Sequence, residues 1–151
     1  MRARLVVLTL AAAAILMLGS AASGCSSEKT ATSDGTGAAT VATYETVDVQ
    51  TAYDALGSGV DAQMVDVREP FEWAETGVAP AAVLIPLGEV ESRAPAELAA
   101  DRPVYVICRS GNRSRTASDT LVGLGYTQVY NLDGGITAWI DAGLPVDVYT
   151  P

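Results

Sequence analysis

The chain contains no histidine. That absence excludes Ser-His and Cys-His dyads and any metal site held by imidazole. Cysteine is scarce too: Cys25 and Cys108 are the whole complement, and they lack the spacing of a metal-ligand pair. Whatever activates a thiol here must therefore be backbone N–H groups, a helix terminus or arginine. Positive charge is in short supply, with nine Lys and Arg against 18 Asp and Glu and a formal net charge of −9. Without Arg2 and Arg4 the remainder holds seven basic against the same 18 acidic residues, or −11. A body this acidic repels polyanions, so nucleic acid is excluded as a partner. Long apolar runs are missing as well. The one from Leu5 to Leu18 falls short of the ~20 residues that a bilayer span requires.

What is present is unevenly placed. Of the arginines beyond the first few residues, Arg68, Arg109, Arg113 and Arg115 lie in or beside two short segments. One is Asp66-Val67-Arg68-Glu69; the other is Cys108-Arg109-Ser110-Gly111-Asn112-Arg113-Ser114. The apolar run Val104-Tyr105-Val106-Ile107 ahead of Cys108 has the β-branching of a buried strand, and the residues after Ser114 follow a helical pattern to about Leu124. A cysteine on a loop between a strand's carboxyl end and a helix N-terminus meets unpaired N–H groups and partial positive charge. Both favour a thiolate, so Cys108 is the candidate nucleophile.

The N-terminal stretch reads as an export leader. Basic Met1 to Arg4 precedes the apolar Leu5–Leu18 core, and small residues then lead to Cys25. Ala22-Ser23-Gly24-Cys25 resembles a bacterial lipoprotein cleavage site, which implies residues 1–24 as signal peptide and Cys25 as the lipidated N-terminus. The expected location is the extracytoplasmic face of the cell membrane; secretion in soluble form is the alternative. Residues 26–43, rich in Ser, Thr, Gly and Ala, read as a flexible linker.

One domain is expected over residues 44–147, at a length that leaves no room for a second core. Tyr44–Val47 reads as an edge strand, and Asp48 caps a helix through Leu56. Ala62–Val67 reads as a strand, Pro70–Glu75 as a short helix, and Ala82–Ile85 as a third strand. Two short helices, Glu89–Ser92 and Ala94–Ala100, follow, the second started by Pro95. A strand at Gln128–Tyr130 and a last helix at Ile136–Asp141 complete the pattern. Strands alternating with helices predict an α/β fold, a central parallel sheet with helices on both faces. Asp66 and Arg68 read first as a packing ion pair, and Trp139 as core.

Taken together, the Asp66–Glu69 segment, the Cys108–Ser114 loop and Gly134-Gly135-Ile136-Thr137-Ala138-Trp139 resemble the single-domain rhodanese family of sulfurtransferases, from about Tyr44 to Val146. Val78 and Ala81 stand where that family often has histidine and glycine. The resemblance implies transfer of sulfane sulfur from a small anionic donor such as thiosulfate to a thiol or cyanide, through a persulfide on Cys108. It implies that the loop, Arg109, Ser110, Gly111, Asn112, Arg113 and Ser114, cradles the persulfide and donor, with Arg113 ahead of Arg109 as donor ligand. Asp66 and Arg68 would shape that loop. No cofactor or metal is expected, and the protein is expected to act as a monomer. Two other classes stay open. Cysteine phosphatases and arsenate reductases use Cys-x5-Arg, but position 114 is Ser114. Rhodanese-like domains also serve as binding or regulatory modules or persulfide carriers, the modules typically without the cysteine that this chain keeps.

Overall fold

The computed structural model describes residues 43–151. The leader, Cys25 and the linker up to residue 42 lie outside the described residues.

Five strands form one sheet in the order β1-β5-β4-β2-β3, and every pairing is parallel. The strands are β1 (Glu45–Val47), β2 (Gln63–Asp66), β3 (Val83–Leu84), β4 (Val104–Ile107) and β5 (Val129–Leu132). The helices are α1 (Val49–Gly57), α2 (Pro70–Thr76), α3 (Val90–Glu97), α4 (Asn112–Gly123) and α5 (Gly135–Asp141). All four β4 residues are buried, as the centre of a sheet covered on both sides requires. Alternation along β4 then separates two cores. Val104, Val106 and Cys108 pack with Val65, Val67, Val90, Ala94, Ala117 and Leu121, under α3 and α4. Met64, Tyr105 and Ile107 pack with Val49, Ala52, Ile136 and Trp139, under α1 and α5. The expected parallel α/β architecture is what is found, and the same alternation assigns the Cys108 side chain to the α4 side.

Local chemistry sets most boundaries as expected. The Asp48 carboxylate accepts the Thr51 N–H at 2.8 Å and caps α1. Pro70 opens α2, where its missing N–H costs nothing. Trp139 is buried and its indole N–H donates to the Pro145 carbonyl at 2.8 Å, so it is core.

One expectation fails. In place of two short helices, the second started by Pro95, a 3-10 turn (Leu87–Glu89) runs into the single helix α3, with Pro95 inside it. Proline deprives the Glu91 carbonyl of its helical donor, but Glu91 is exposed and water can serve it. Arg93 bridges the interruption, donating to Glu89 at 2.8 Å and Glu97 at 2.6 Å. Buried Tyr126 reaches across from beyond α4 and donates to the Ala94 and Leu98 carbonyls at 2.8 and 3.0 Å, serving the end of the helix. Long-range contact here overrides the local signal of proline.

Candidate active site

Cys108 follows β4 directly, and the loop after it curls back over its own sulfur. The Gly111 N–H donates to Cys108 Sγ at 3.2 Å, and Ser114 Oγ lies 3.4 Å from it. The curl depends on Gly111 at φ 91°, where a Cβ would also press on the Leu132 carbonyl at 3.2 Å. The start of α5 fixes the loop from behind. The Ile136 N–H donates to the Cys108 carbonyl at 2.8 Å, and both the N–H and hydroxyl of Thr137 donate to the Arg109 carbonyl, at 3.2 and 3.0 Å. With those carbonyls held by α5, the N–H groups that follow are left for the sulfur. Gly135 permits this approach, since a Cβ there would collide with the Cys108 carbonyl and come within 2.7 Å of the Arg109 carbonyl carbon. That is the physical content of the Gly-Gly segment.

Burial of Cys108 works against its ionisation. Hydrogen bonds from the Ser114 hydroxyl and from the N–H groups of Ser114, Ser110 and Gly111 outweigh it and hold the thiol pKa below its usual value. The backbone donors act unconditionally. The Ser114 hydroxyl has one proton and directs it to Asn131 Oδ1 at 2.6 Å, while Asn131 Nδ2 donates to Thr46 Oγ1 at 3.3 Å. The Ser114 oxygen already lies within reach of the sulfur, so to donate to a thiolate the hydroxyl need only turn its proton from Asn131 to Sγ. Asn131 is fully buried and is one of two site residues that the sequence reading missed. Its only signal was an amide inside the otherwise apolar and aromatic run of β5.

Glu72 is the other. Its carboxylate takes both terminal nitrogens of Arg113 at 2.6 Å, and the same carboxylate accepts the Glu69 N–H at 3.0 Å, at the start of α2. The Arg113 hydrogen bonds, opposed by partial burial, hold the Glu72 pKa down at about 2. Arg113, expected to lead in donor binding, is thus already paired. Arg109 is exposed and, among the described residues, its guanidinium has no hydrogen-bond or ion-pair partner. Ser110 and Asn112 are exposed at the loop's rim.

Asp66 and Arg68 form a fully buried ion pair at 2.6 Å. Arg68 also donates to the Glu72 carbonyl, the Thr76 hydroxyl and the Gly77 carbonyl, at 3.3, 2.7 and 2.7 Å. The pair touches α2 and its exit rather than the loop; its link to the loop runs through Glu72 and Arg113. No cluster of potential metal ligands occurs among the described residues.

Fold and loop together define a parallel α/β domain with one buried thiol, set at a strand end and faced by backbone N–H groups. The family model of the rhodanese-like domain matches residues 48–142, and the chain belongs to that family. A sulfurtransferase of Allochromatium vinosum is 39% identical over 100 residues, which cover 66% of this chain and 92% of its own length. A thiosulfate sulfurtransferase of Vibrio cholerae is 35% identical over 101 residues, covering 67% and 92%. Among solved structures, a rhodanese-related protein of Thermoplasma volcanium superposes with a TM-score of 0.62 at 33% identity, over 70% of this chain and all of that one. A protein of Rhodopseudomonas palustris described as a possible tyrosine phosphatase gives 0.63 at 28% identity, over 69% and 85%.

Proposed function

We propose that the chain is a sulfurtransferase that moves sulfane sulfur from a small anionic donor such as thiosulfate to a thiophilic acceptor, through a persulfide on Cys108. The observation that carries this reading is the tight curl of loop N–H groups around a single sulfur. The Cys108 thiolate attacks the donor's outer sulfur. The donor's S–S bond breaks, its electron pair leaves on sulfite, and a persulfide remains. An acceptor nucleophile, cyanide or a thiolate, then attacks the outer persulfide sulfur, and the electron pair of that bond returns to Cys108. The N–H groups of the loop stabilise the charge at each stage without reorganising. The sulfurtransferases among its relatives support the same reading.

The similarity to a possible tyrosine phosphatase favours a second reading, phosphoryl chemistry at the same cysteine. Against it, the position a Cys-x5-Arg loop needs is Ser114, which is buried and bonded to Asn131. Intact mass of the domain before and after thiosulfate separates the two. One added sulfur, released by cyanide and absent from Cys108→Ser, is expected. Phosphatase turnover with no sulfur uptake would reverse the order.

The N-terminal reading also stands as part of this proposal: export, with lipid on Cys25 anchoring the domain outside the cytoplasm. Cells fed labelled fatty acid should label the chain, and Cys25→Ala should not be labelled. Label in both sinks the assignment.

A further inference from the structure

On the far side of the sheet from Cys108, between the end of α1 and the starts of β2 and β3, lies a cavity of about 570 Å³. That volume falls within the ~300–1,000 Å³ of small-molecule sites. Its apolar walls include Leu56, Ala62, Met64 and Trp139, all from the core under α1 and α5. Cys108 belongs to the other core, and no residue of its loop lines the cavity. The hollow exists because small residues ring it. Gly57, Ser58 and Ala81 supply no bulk, and a Cβ at Gly57 would meet nothing within 4 Å. Tyr53 and Asp54 stand exposed at the mouth, where Tyr53 packs edge to face on Trp139 with ring centroids 5.7 Å apart.

The polar groups on the walls are nearly all spent. Gln63 exchanges two hydrogen bonds of 2.9 Å with the Ala99 backbone. Ser58 gives its proton to the Ala55 carbonyl at 2.7 Å. Asp54 Oδ1 accepts from Gln50 at 2.9 Å, but among the described residues Asp54 Oδ2 has no partner. No arginine or lysine lines the cavity. In addition, α1 ends here with no basic residue in its last turn, so its partial negative charge is uncompensated.

We propose that this cavity is a second binding site and takes a small organic cation, a primary ammonium on a compact aromatic or branched apolar body. The body displaces water from Leu56, Met64 and Trp139. The ammonium stays at the mouth, held by the Asp54 carboxylate and by the Tyr53 ring, whose face attracts cations. A neutral apolar compound gains only the first of these terms. A carboxylate is repelled by Asp54, by the end of α1 and by the net charge of −9. Binding here needs no sulfur chemistry at Cys108.

The test titrates phenethylammonium into the full chain in detergent, with free ligand fixed by dialysis. The Leu56 and Met64 amide resonances and the Trp139 indole N–H should shift, with a Kd on the order of 1 mM. Phenethyl alcohol should bind about fivefold more weakly, the loss of one partly exposed charge contact, and hydrocinnamate more weakly still. Asp54→Asn keeps an acceptor for Gln50 and should lower the ammonium's affinity to that of the alcohol, at an unchanged urea midpoint. Selectivity among the three ligands is read on the wild type, so it decides the matter even where the variant unfolds. No shift up to about 10 mM phenethylammonium overturns the site. Equal affinities for ammonium and alcohol, or a folded Asp54→Asn that binds as the wild type does, overturn the seat for a cation. Shifts spread over the surface and reproduced by ethylammonium overturn it too, as attraction of any cation to an acidic protein. A dimer in sedimentation that covers Tyr53 and excludes the ligand gives the mouth to a second copy of the chain instead.

Discussion

Two arginine–carboxylate pairs stand one behind the other, joined through α2, and they do different work. Asp66–Arg68 is sealed from solvent, with side chains 0% and 1% exposed. Glu72–Arg113 sits at the loop, with Arg113 one-third exposed. In the first, the guanidinium is saturated by Asp66, two backbone carbonyls and a hydroxyl, all of them fixed parts of the fold. In the second, a single carboxylate holds the guanidinium, and Arg113 also feels the charge of Cys108. The chemistry is the same in both, but burial and the number of partners separate a pair locked into the fold from one that stands beside the thiol and open to solvent.

The largest effect expected from breaking either pair is on stability, at Arg68. Arg68→Ala strands the Asp66 carboxylate in the core and leaves the Glu72 and Gly77 carbonyls short of a donor. Loss of one partner of a buried pair costs ~3–5 kcal/mol. Urea unfolding should show that loss, while sulfur transfer per folded molecule stays near the parent value. An unchanged melting temperature with a collapsed rate would assign Arg68 to the chemistry instead.

Glu72→Gln should cost less, about 1–2 kcal/mol, because solvent screens the Arg113 side of the pair. Its signature is pH dependence. The folded-state pKa of Glu72 is depressed to about 2 from an ordinary 4.5. The pair's contribution is therefore fully present above about pH 4.5 and is lost as the pH falls through about 2. Wild type and variant should differ by a constant amount at neutral pH and converge in acid; a gap that widens in acid contradicts the assignment. The variant should also free the charge of Arg113. Alkylation of Cys108 by anionic iodoacetate should then gain a few-fold on neutral iodoacetamide. An unchanged ratio would mean that Arg113 does not act on the sulfur.

The contrast between the pairs also explains how far the sequence could be read. Cys108 and its loop were legible because an apolar strand ended in small, polar and basic residues that a core would not choose. The sheet covered on both faces followed from strands alternating with helices. Asp66 and Arg68, two positions apart at a strand end, read correctly as a packing pair. Glu72 did not, because its partner Arg113 lies far off in sequence and no local pattern joins a carboxylate of α2 to a guanidinium of α4. Asn131 was hidden for a related reason. A lone amide in a strand reveals its burial only when Ser114 and Thr46 are seen around it. Pro95 misled because the contacts that carry α3 past it, from Arg93 and Tyr126, are partly non-local.

The smallest predicted effect tests the segment that Arg68 anchors through the Gly77 carbonyl. Two residues on, the chain turns through Ala79-Pro80-Ala81-Ala82, closed by the Ala82 N–H on the Ala79 carbonyl at 3.2 Å. Proline second and a positive φ third is the form of a type II turn, whose third residue favours glycine. Here it is Ala81, at φ 58°, the only non-glycine residue with positive φ among those described. An L-residue in that region costs ~1 kcal/mol or more, and glycine gives back part of the gain through its freer unfolded chain. Ala81→Gly should thus raise stability by about 0.5–1 kcal/mol, seen as a higher urea midpoint at unchanged slope, and leave sulfur transfer alone. The exposed methyl of Ala81 has little packing to lose. If the midpoint falls, the methyl contributes more than the backbone strain costs, and the strain at this turn is smaller than its φ implies.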